Sequence, residues 1–208
     1  MKVGTKRIKE IILSLRNFSR LDESDKKLVD IHEGIDSTLV ILQSRLKNDQ
    51  LGESINIIKE YGELPQVECY AGLLNQVFMN ILVNAIDAIE ESLVTCTERL
   101  ALSEVERSRS ITHSSSVRDT KICIRTELTD DKQVIIRISD NGTGIPESSQ
   151  NRLFDPFFTT KPVGKGTGLG LSISYQIVVE KHGGQLQCIS ALGEGTEFII
   201  KIPAKLNS

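Results

Sequence analysis

A large excess of positive charge is missing from this chain. Its 25 Lys and Arg stand against 28 Asp and Glu, a formal net charge of −3 over 208 residues. That balance excludes a nucleic-acid footprint as the basis of function. No uninterrupted apolar run approaches the ~20 residues that a membrane-spanning helix needs. No charged-then-apolar stretch opens the chain, so no secretory signal is expected. The four cysteines, Cys69, Cys96, Cys123 and Cys188, have no Cys-x-x-Cys spacing. They argue against a zinc or disulfide framework and for free thiols in a reducing cytoplasm. No internal repeat is present. What remains is a globular composition, 39% hydrophobic and 25% charged, long enough for one good core plus an appendage.

The order of patterns suggests how that length is used. Ile8, Ile11, Ile12, Leu15, Phe18 and Leu21 recur at helical spacing, so residues 2–21 read as one amphipathic helix. A polar linker ends near Lys27, and a domain running 28–208 follows. A short strand surrounds Asp30, and a helix over His32–Lys47 turns Ile35, Leu39, Leu42 and Leu46 inward. Strands are expected over Ser54–Glu60 and Val67–Cys69, with Gly62 and Pro65 turning between them. The longest helix spans about Tyr70–Leu93. Residues 95–119 are polar and serine-rich and read as a mobile insert, with a helical turn or two within Glu98–Glu106. Two hairpins follow, Lys121–Leu128 with Gln133–Asp140, and Gln185–Ser190 with Glu197–Ile202, separated by a helix over Leu171–Lys181. Helices mixed with strands and ending in antiparallel pairs predict an α+β, two-layer sandwich: a mixed sheet covered by helices on one face.

The chemistry concentrates in two places. Asn80, Asn84 and Asp87 sit at i, i+4 and i+7 of the long helix and share one face. Oxygen-bearing side chains stacked in this way suit a hard cation such as Mg²⁺; a merely solvated polar face is the plainer alternative. The stretch Asp140–Leu171 is punctuated by Gly142, Gly144, Gly164, Gly166, Gly168 and Gly170 and leads into a helix. Such a loop lets backbone N–H groups approach an anion closely. Asp140 closes a strand, where a carboxylate can accept from an exocyclic amine, although Asp140-Asn141-Gly142 is also ordinary turn chemistry. Thr143 and Ile145 break a calcium-loop pattern. The Walker A motif fails because Thr159 stands where its first glycine belongs and Gly166 where Ser or Thr belongs. The dinucleotide fingerprint fails at Leu169 or Leu171.

Taken together, Asn80-Ile-Leu-Val-Asn84-Ala-Ile-Asp87, Asp140-Asn-Gly-Thr-Gly-Ile145, Phe154-Asp-Pro-Phe-Phe158, Gly166-Thr-Gly-Leu-Gly-Leu171 and Gly193-Glu-Gly-Thr196-Glu-Phe198 resemble the ATP-binding domain of two-component sensor histidine kinases. That domain has the Bergerat fold shared with gyrase, Hsp90 and MutL. Thr159–Gly166 is similar to the compact ATP lid of the nitrogen-regulation subgroup. The resemblance covers Asp30 to Pro203 and implies roles. Asp140 would bind the adenine amine, with Thr196 nearby through water, and Gly142, Gly144 and Ile145 would shape the base pocket. Asn84, with Asn80, would hold Mg²⁺, and Asp87 would lie beside them. Gly166, Thr167, Gly168, Leu169, Gly170 and Leu171 would cap the triphosphate, with Lys161 or Lys165 neutralising it.

One position separates enzyme classes. ATPases of the superfamily carry a Glu base one helical turn before the magnesium-binding Asn, and here that position is Asn80. Without a carboxylate to activate water, transfer to a side chain is favoured over hydrolysis. Ile11–Leu21 is similar to the end of the family's dimerisation hairpin. The resemblance therefore implies a homodimer, a phosphoacceptor His on a preceding helix, a response-regulator receiver domain as partner, and neither nucleic-acid nor membrane contact. His32, His113 and His182 lack the acceptor's sequence context. A conformational ATPase, a serine kinase acting on a separate protein and a non-catalytic nucleotide-binding module are the alternatives.

Overall fold

The computed structural model describes residues 25–48, 53–104, 119–161 and 166–204. The helix expected over residues 2–21, most of the serine-rich insert with His113, and Lys165 lie outside the described residues.

Strand β1 (Lys27–Val29) leads into helix α1 (Ile31–Leu46). Asp30 caps that helix, its carboxylate accepting the His32 N–H at 2.8 Å, which satisfies one of the N–H groups a helix start leaves unpaired. Short strands β2 (Lys47–Asn48) and β3 (Glu53–Ser54) pair with each other. Then come β4 (Asn56–Tyr61), β5 (Val67–Cys69), which pairs with β1, and helix α2 (Ala71–Glu104). The chain continues through β6 (Lys121–Leu128), β7 (Gln133–Asp140), a single turn α3 (Glu147–Gln150), helix α4 (Gly170–Tyr175), β8 (Gln185–Ala191) and β9 (Gly195–Pro203).

The main sheet has the order β4-β6-β7-β9-β8, parallel between β4 and β6 and antiparallel elsewhere. Alternation along the strands divides its two faces. Ile122 and Ile124 of β6, Val134, Ile136 and Ile138 of β7, and Phe198, Ile200 and Ile202 of β9 are buried on the helical side. There they meet Leu74, Phe78, Ile81, Leu82, Ile86 and Ile89 of α2, with Ile35, Leu39 and Leu42 of α1 joining the same cluster. The other face is laced with charge. Arg125 bridges Glu60 at 2.6 Å, and Arg137 reaches Glu127 and Glu197, each at 3.4 Å, beside the buried Ile135 and Ile199. The sandwich expected from the sequence is therefore present.

Three details differ from the sequence reading. Helix α2 runs to Glu104 rather than stopping near Leu93. The stretch 95–104 is polar but holds neither Gly nor Pro, and Glu, Arg, Leu and Ala propagate a helix well. Polarity alone is not a stop signal. Helix α4 continues into six π-helical residues, Gln176–Lys181, where a plain α-helix was expected. Finally, Ala71–Val94 is long and apolar enough by composition to cross a membrane, a property that uninterrupted apolar runs do not reveal because polar residues interrupt it; its Leu74–Ile89 face is buried in this domain's core. Among the described residues, Cys69, Cys123 and Cys188 are free thiols.

His182 closes the turn after the π-helical residues and is more than a helix-ending residue. Its Nδ1 lies 2.8 Å from the Ile177 carbonyl, which can only accept, so Nδ1 carries the proton. Its Nε2 accepts the Tyr70 N–H at the head of α2 at 3.1 Å. The ring thus joins two helix ends in one neutral tautomer, and burial holds its pKa below the ordinary histidine value. The unfolded chain takes up the proton first, near pH ~6.5, so this contribution is complete above that pH and is lost as pH falls through the folded value. His182→Leu should cost about 1–3 kcal/mol in denaturant unfolding at pH 7.5 and should lose less stability than wild type when acidified to pH 5.

Candidate functional site

A cleft of about 400 Å³ opens between α2, the end of β7 and the glycine loop before α4. That volume falls within the range typical of small-molecule sites. Its floor is a polar stripe on α2, Asn80, Asn84, Asp87 and Glu91, at successive helical turns on the side away from the core.

At one end stands Asp140, the last residue of β7. Its carboxylate accepts the Gly142 N–H at 2.9 Å and the Thr196 N–H. Burial pushes its pKa up to about 6, with those two N–H groups acting in the opposite direction. The loop beyond it is anchored on both sides. Thr143 N–H donates to the Ala88 carbonyl of α2 at 3.3 Å, and Gly193 N–H donates to the Thr143 carbonyl at 2.7 Å. Ile145 N–H donates to Ser190 Oγ at 2.8 Å, while Gln150 Nε2 donates to the Ile145 and Ser190 carbonyls at 3.0 and 2.8 Å. Gly144 adopts φ +69°, and a Cβ there would lie 2.0 Å from the Ala191 carbonyl oxygen.

The other end is organised by charge. Lys161 Nζ donates to Asn84 Oδ1 at 3.1 Å and forms an ion pair with Asp87 Oδ2. Asp87 Oδ1 is held by Arg45 of α1 at 2.6 Å, and the same guanidinium nitrogen contacts Glu90 at 2.7 Å. Burial alone would raise the Asp87 pKa; the hydrogen bonds from Lys161 and Arg45 outweigh it and hold the carboxyl below its ordinary value. Asn80 Nδ2 donates to the Gly170 carbonyl at 2.9 Å and to Ser174 Oγ at 3.2 Å, tying α2 to the start of α4. Gly168, at φ +66°, passes so close to Phe157 that a Cβ would lie 2.4 Å from its carbonyl carbon.

Of the residues singled out from sequence, Asn80, Asn84, Asp87, Asp140, Gly144, Ile145, Lys161, Gly166, Thr167, Gly168, Gly170, Leu171 and Thr196 line this one cleft. Gly142 instead packs on Ala88 at its edge. Leu169 caps α4, its carbonyl accepting from Ile173 N–H and Ser172 Oγ. Lys165 is outside the described residues. Sequence reasoning missed Glu91, which continues the stripe by one more turn and was legible in the same periodicity. It also missed Arg45, Ser190 and Gln150, which carry no local signal, while Thr143, Thr159 and Thr160 lay within the quoted motifs without a role of their own.

Residues 70–206 match the family of histidine kinase-, DNA gyrase B- and HSP90-like ATPases. The chain is 34% identical to the sensor kinase CckA of Brucella abortus over 98% of its own length and 20% of that protein. It is also 34% identical to the signal transduction histidine-protein kinase AtoS of Escherichia coli, over 94% of this chain and 27% of AtoS. The catalytic domain of the histidine kinase ThkA, solved without nucleotide, superimposes with a TM-score of 0.63 at 25% identity, covering 86% of this chain and 96% of that one. ThkA has also been solved in complex with the response regulator protein TrrA, a likeness of fold at 23% identity and a TM-score of 0.60 over 98% of this chain and 49% of that one. The chain belongs to this ATPase family, and within it to the ATP-binding catalytic domains of sensor histidine kinases. It spans between a fifth and about a quarter of the length of CckA and AtoS.

Gly144→Ala should lower unfolding free energy by at least about 2 kcal/mol, because both φ and the Ala191 carbonyl oppose a side chain; denaturant titration measures this, and unchanged stability would contradict the loop geometry.

Proposed function

We propose that this chain binds ATP with Mg²⁺ and passes the γ-phosphoryl group to a histidine on a dimerisation hairpin, from which an aspartate of a response-regulator receiver domain receives it. The whole protein would act as a homodimer through that hairpin, with this domain in the cytoplasm. The observation that carries the reading is the polarity of the cleft. A carboxylate acceptor, Asp140, stands at one end, and an amide-and-ammonium cluster, Asn84 with Lys161, stands at the other.

In this reading Asp140 accepts from the adenine amine, and Thr196, opposite it in the β7–β9 register, assists. Gly142, Gly144 and Ile145 shape the base pocket. Gly166–Leu171 close over the phosphates, with Lys161 and Lys165 supplying positive charge. The donor set fits Mg²⁺. Asn84 Oδ1 and Asp87 Oδ2 already converge on one cation, the Lys161 ammonium, and hard oxygen donors are what this metal takes. Asn84 would hold the ion with Asn80 beside it, although the Asn80 amide nitrogen is engaged by α4. When bound, the ion neutralises phosphate charge and orients the transferring group. As triphosphate enters, Lys161 can exchange Asp87 for phosphate oxygens, leaving Arg45 to balance Asp87.

Asn80, where a hydrolytic enzyme carries its base, is an amide committed to Gly170 and Ser174, so phosphoryl transfer to a side chain is favoured over hydrolysis. His32 is stacked on Tyr61 at 4.2 Å and bonded to Thr126 at 2.8 Å, and His182 staples two helix ends. Both described rings are held in structural contacts, and none of the three histidines has the acceptor's sequence context. The purified chain should therefore take up no label from γ-labelled ATP until a His-bearing hairpin is added; self-labelling, or steady phosphate release instead of transfer, would overturn this reading.

The pH dependence follows from Asp140. Its carboxylate forms as pH rises through about 6. The ATP affinity advantage of wild type over Asp140→Asn should reach roughly tenfold or more at pH 7.5 and shrink at pH 5, since a charged acceptor contributes about 1.5–3 kcal/mol. Comparing the two proteins by calorimetry cancels titration of the nucleotide itself.

A further inference from the structure

We infer that Ser190 is a specificity-determining positioning residue: it fixes the donor–acceptor polarity of the base end of the cleft, turning Thr196 into an acceptor that favours an amino-bearing base over a keto-bearing one. The inference rests on the adenine-nucleotide reading of the site and assigns a role to a residue that neither motif nor spacing marks.

Three groups surround Ser190 Oγ. The Ile145 N–H lies at 2.8 Å, the Gly195 carbonyl at 2.8 Å and Thr196 Oγ1 at 2.9 Å. An N–H can only donate and a carbonyl can only accept, and a serine hydroxyl has one proton. If that proton pointed at Thr196, lone pairs of Ser190 and Gly195 would face each other at hydrogen-bond distance. It therefore goes to Gly195. Ser190 then accepts from Ile145 and from the Thr196 hydroxyl, and its hydrogen-bonding capacity is full. Thr196, buried to 5% exposure and lining the cleft, has spent its only proton on Ser190 and has only lone pairs left for a ligand. Asp140, its direct partner across the β7–β9 ladder, is acceptor-only when ionised. Both side chains at this end thus call for hydrogen-bond donors. The exocyclic amine of adenine supplies them. The keto oxygen of hypoxanthine or guanine would set lone pairs against lone pairs, an arrangement that discriminates strongly because buried polar groups are left unpaired. Gln150 holds the same corner through the Ile145 and Ser190 carbonyls, so the loop that carries Ile145 and the Thr196 hydroxyl share one support.

Removing the Ser190 hydroxyl frees the Thr196 proton to turn toward the cleft, where it can meet a keto oxygen. The test uses ATP and inosine triphosphate, which share sugar and phosphates, titrated calorimetrically with Mg²⁺ into the same chain. Wild type should prefer ATP. In Ser190→Ala the ATP-to-inosine-triphosphate affinity ratio should contract by about fivefold, the worth of roughly one hydrogen bond, while Ser190→Thr, which keeps the hydroxyl, should restore it. In a Thr196→Val background Ser190→Ala should leave the ratio unchanged, as expected if the two act as one unit. A purely structural role would weaken both nucleotides together. A wild-type ratio in Ser190→Ala, or contraction persisting in the Thr196→Val background, would overturn the inference. Should Ser190→Ala fail to give a cooperative melt, Ser190→Cys, close in volume and a poor hydrogen-bonding partner, is read by the same ratio. Absence of ATP binding by wild type would defeat the adenine-nucleotide reading itself, a result distinct from any of these.

Discussion

Carboxylates and a polyphosphate can share one cleft only if something positive or proton-donating stands between them. This site carries Asp140 and Asp87 at its two ends, and each is balanced differently. Among the described residues no cation pairs with Asp140; burial outweighs its two backbone N–H donors, which leaves its carboxyl titrating at about 6. Asp87 is held ionised by two cations from two separate elements, Lys161 on the loop and Arg45 on α1. A carboxylate backed by backbone dipoles is an acceptor waiting for a neutral donor. A carboxylate held by an ammonium and a guanidinium can give up one of them to an arriving anion and stay balanced by the other. Under the proposed function, that contrast would give the cleft a base end and a phosphate end.

The fold serves this arrangement by fixing α2. One side of the helix is core, from Leu74 to Ile89, and it cannot rotate without exposing that surface. Each buried aliphatic side chain contributes on the order of 1.5–3 kcal/mol, so the polar stripe Asn80–Glu91 is held facing the cleft by packing on its opposite side. The sheet supplies the rest. β7 delivers Asp140 and β9 delivers Thr196 in register, while the loops on either side are tied to α2 through Ala88 and through Asn80. Asn80 therefore belongs as much to the joint between α2 and α4 as to any metal site.

Much of this was legible in the sequence where the signal is periodic or conformational. The α2 stripe follows from helical spacing, the strands from alternation, and the loop turns from glycines that a side chain would block, as at Gly144 and Gly168. What could not be read was whatever joins distant segments. Arg45 meets Asp87 across 42 residues, Ser190 meets Ile145 across 45, and His182 meets Tyr70 across 112. No local pattern encodes such pairs, because only the folded topology brings them together. The end of α2 differs for another reason: polar composition suggests a break, although neither Gly nor Pro stands between Thr95 and Glu104.

The proposed function requires one cleft to read a base through Asp140 and to hold a metal-bound polyphosphate through Asn84. Calorimetric ATP titrations with and without Mg²⁺, on wild type, Asp140→Ala and Asn84→Ala, test it most directly. Asp140→Ala should weaken binding by about tenfold or more in both conditions, whereas Asn84→Ala should remove the gain that Mg²⁺ gives wild type. Wild-type affinity and wild-type magnesium dependence in both variants would contradict it.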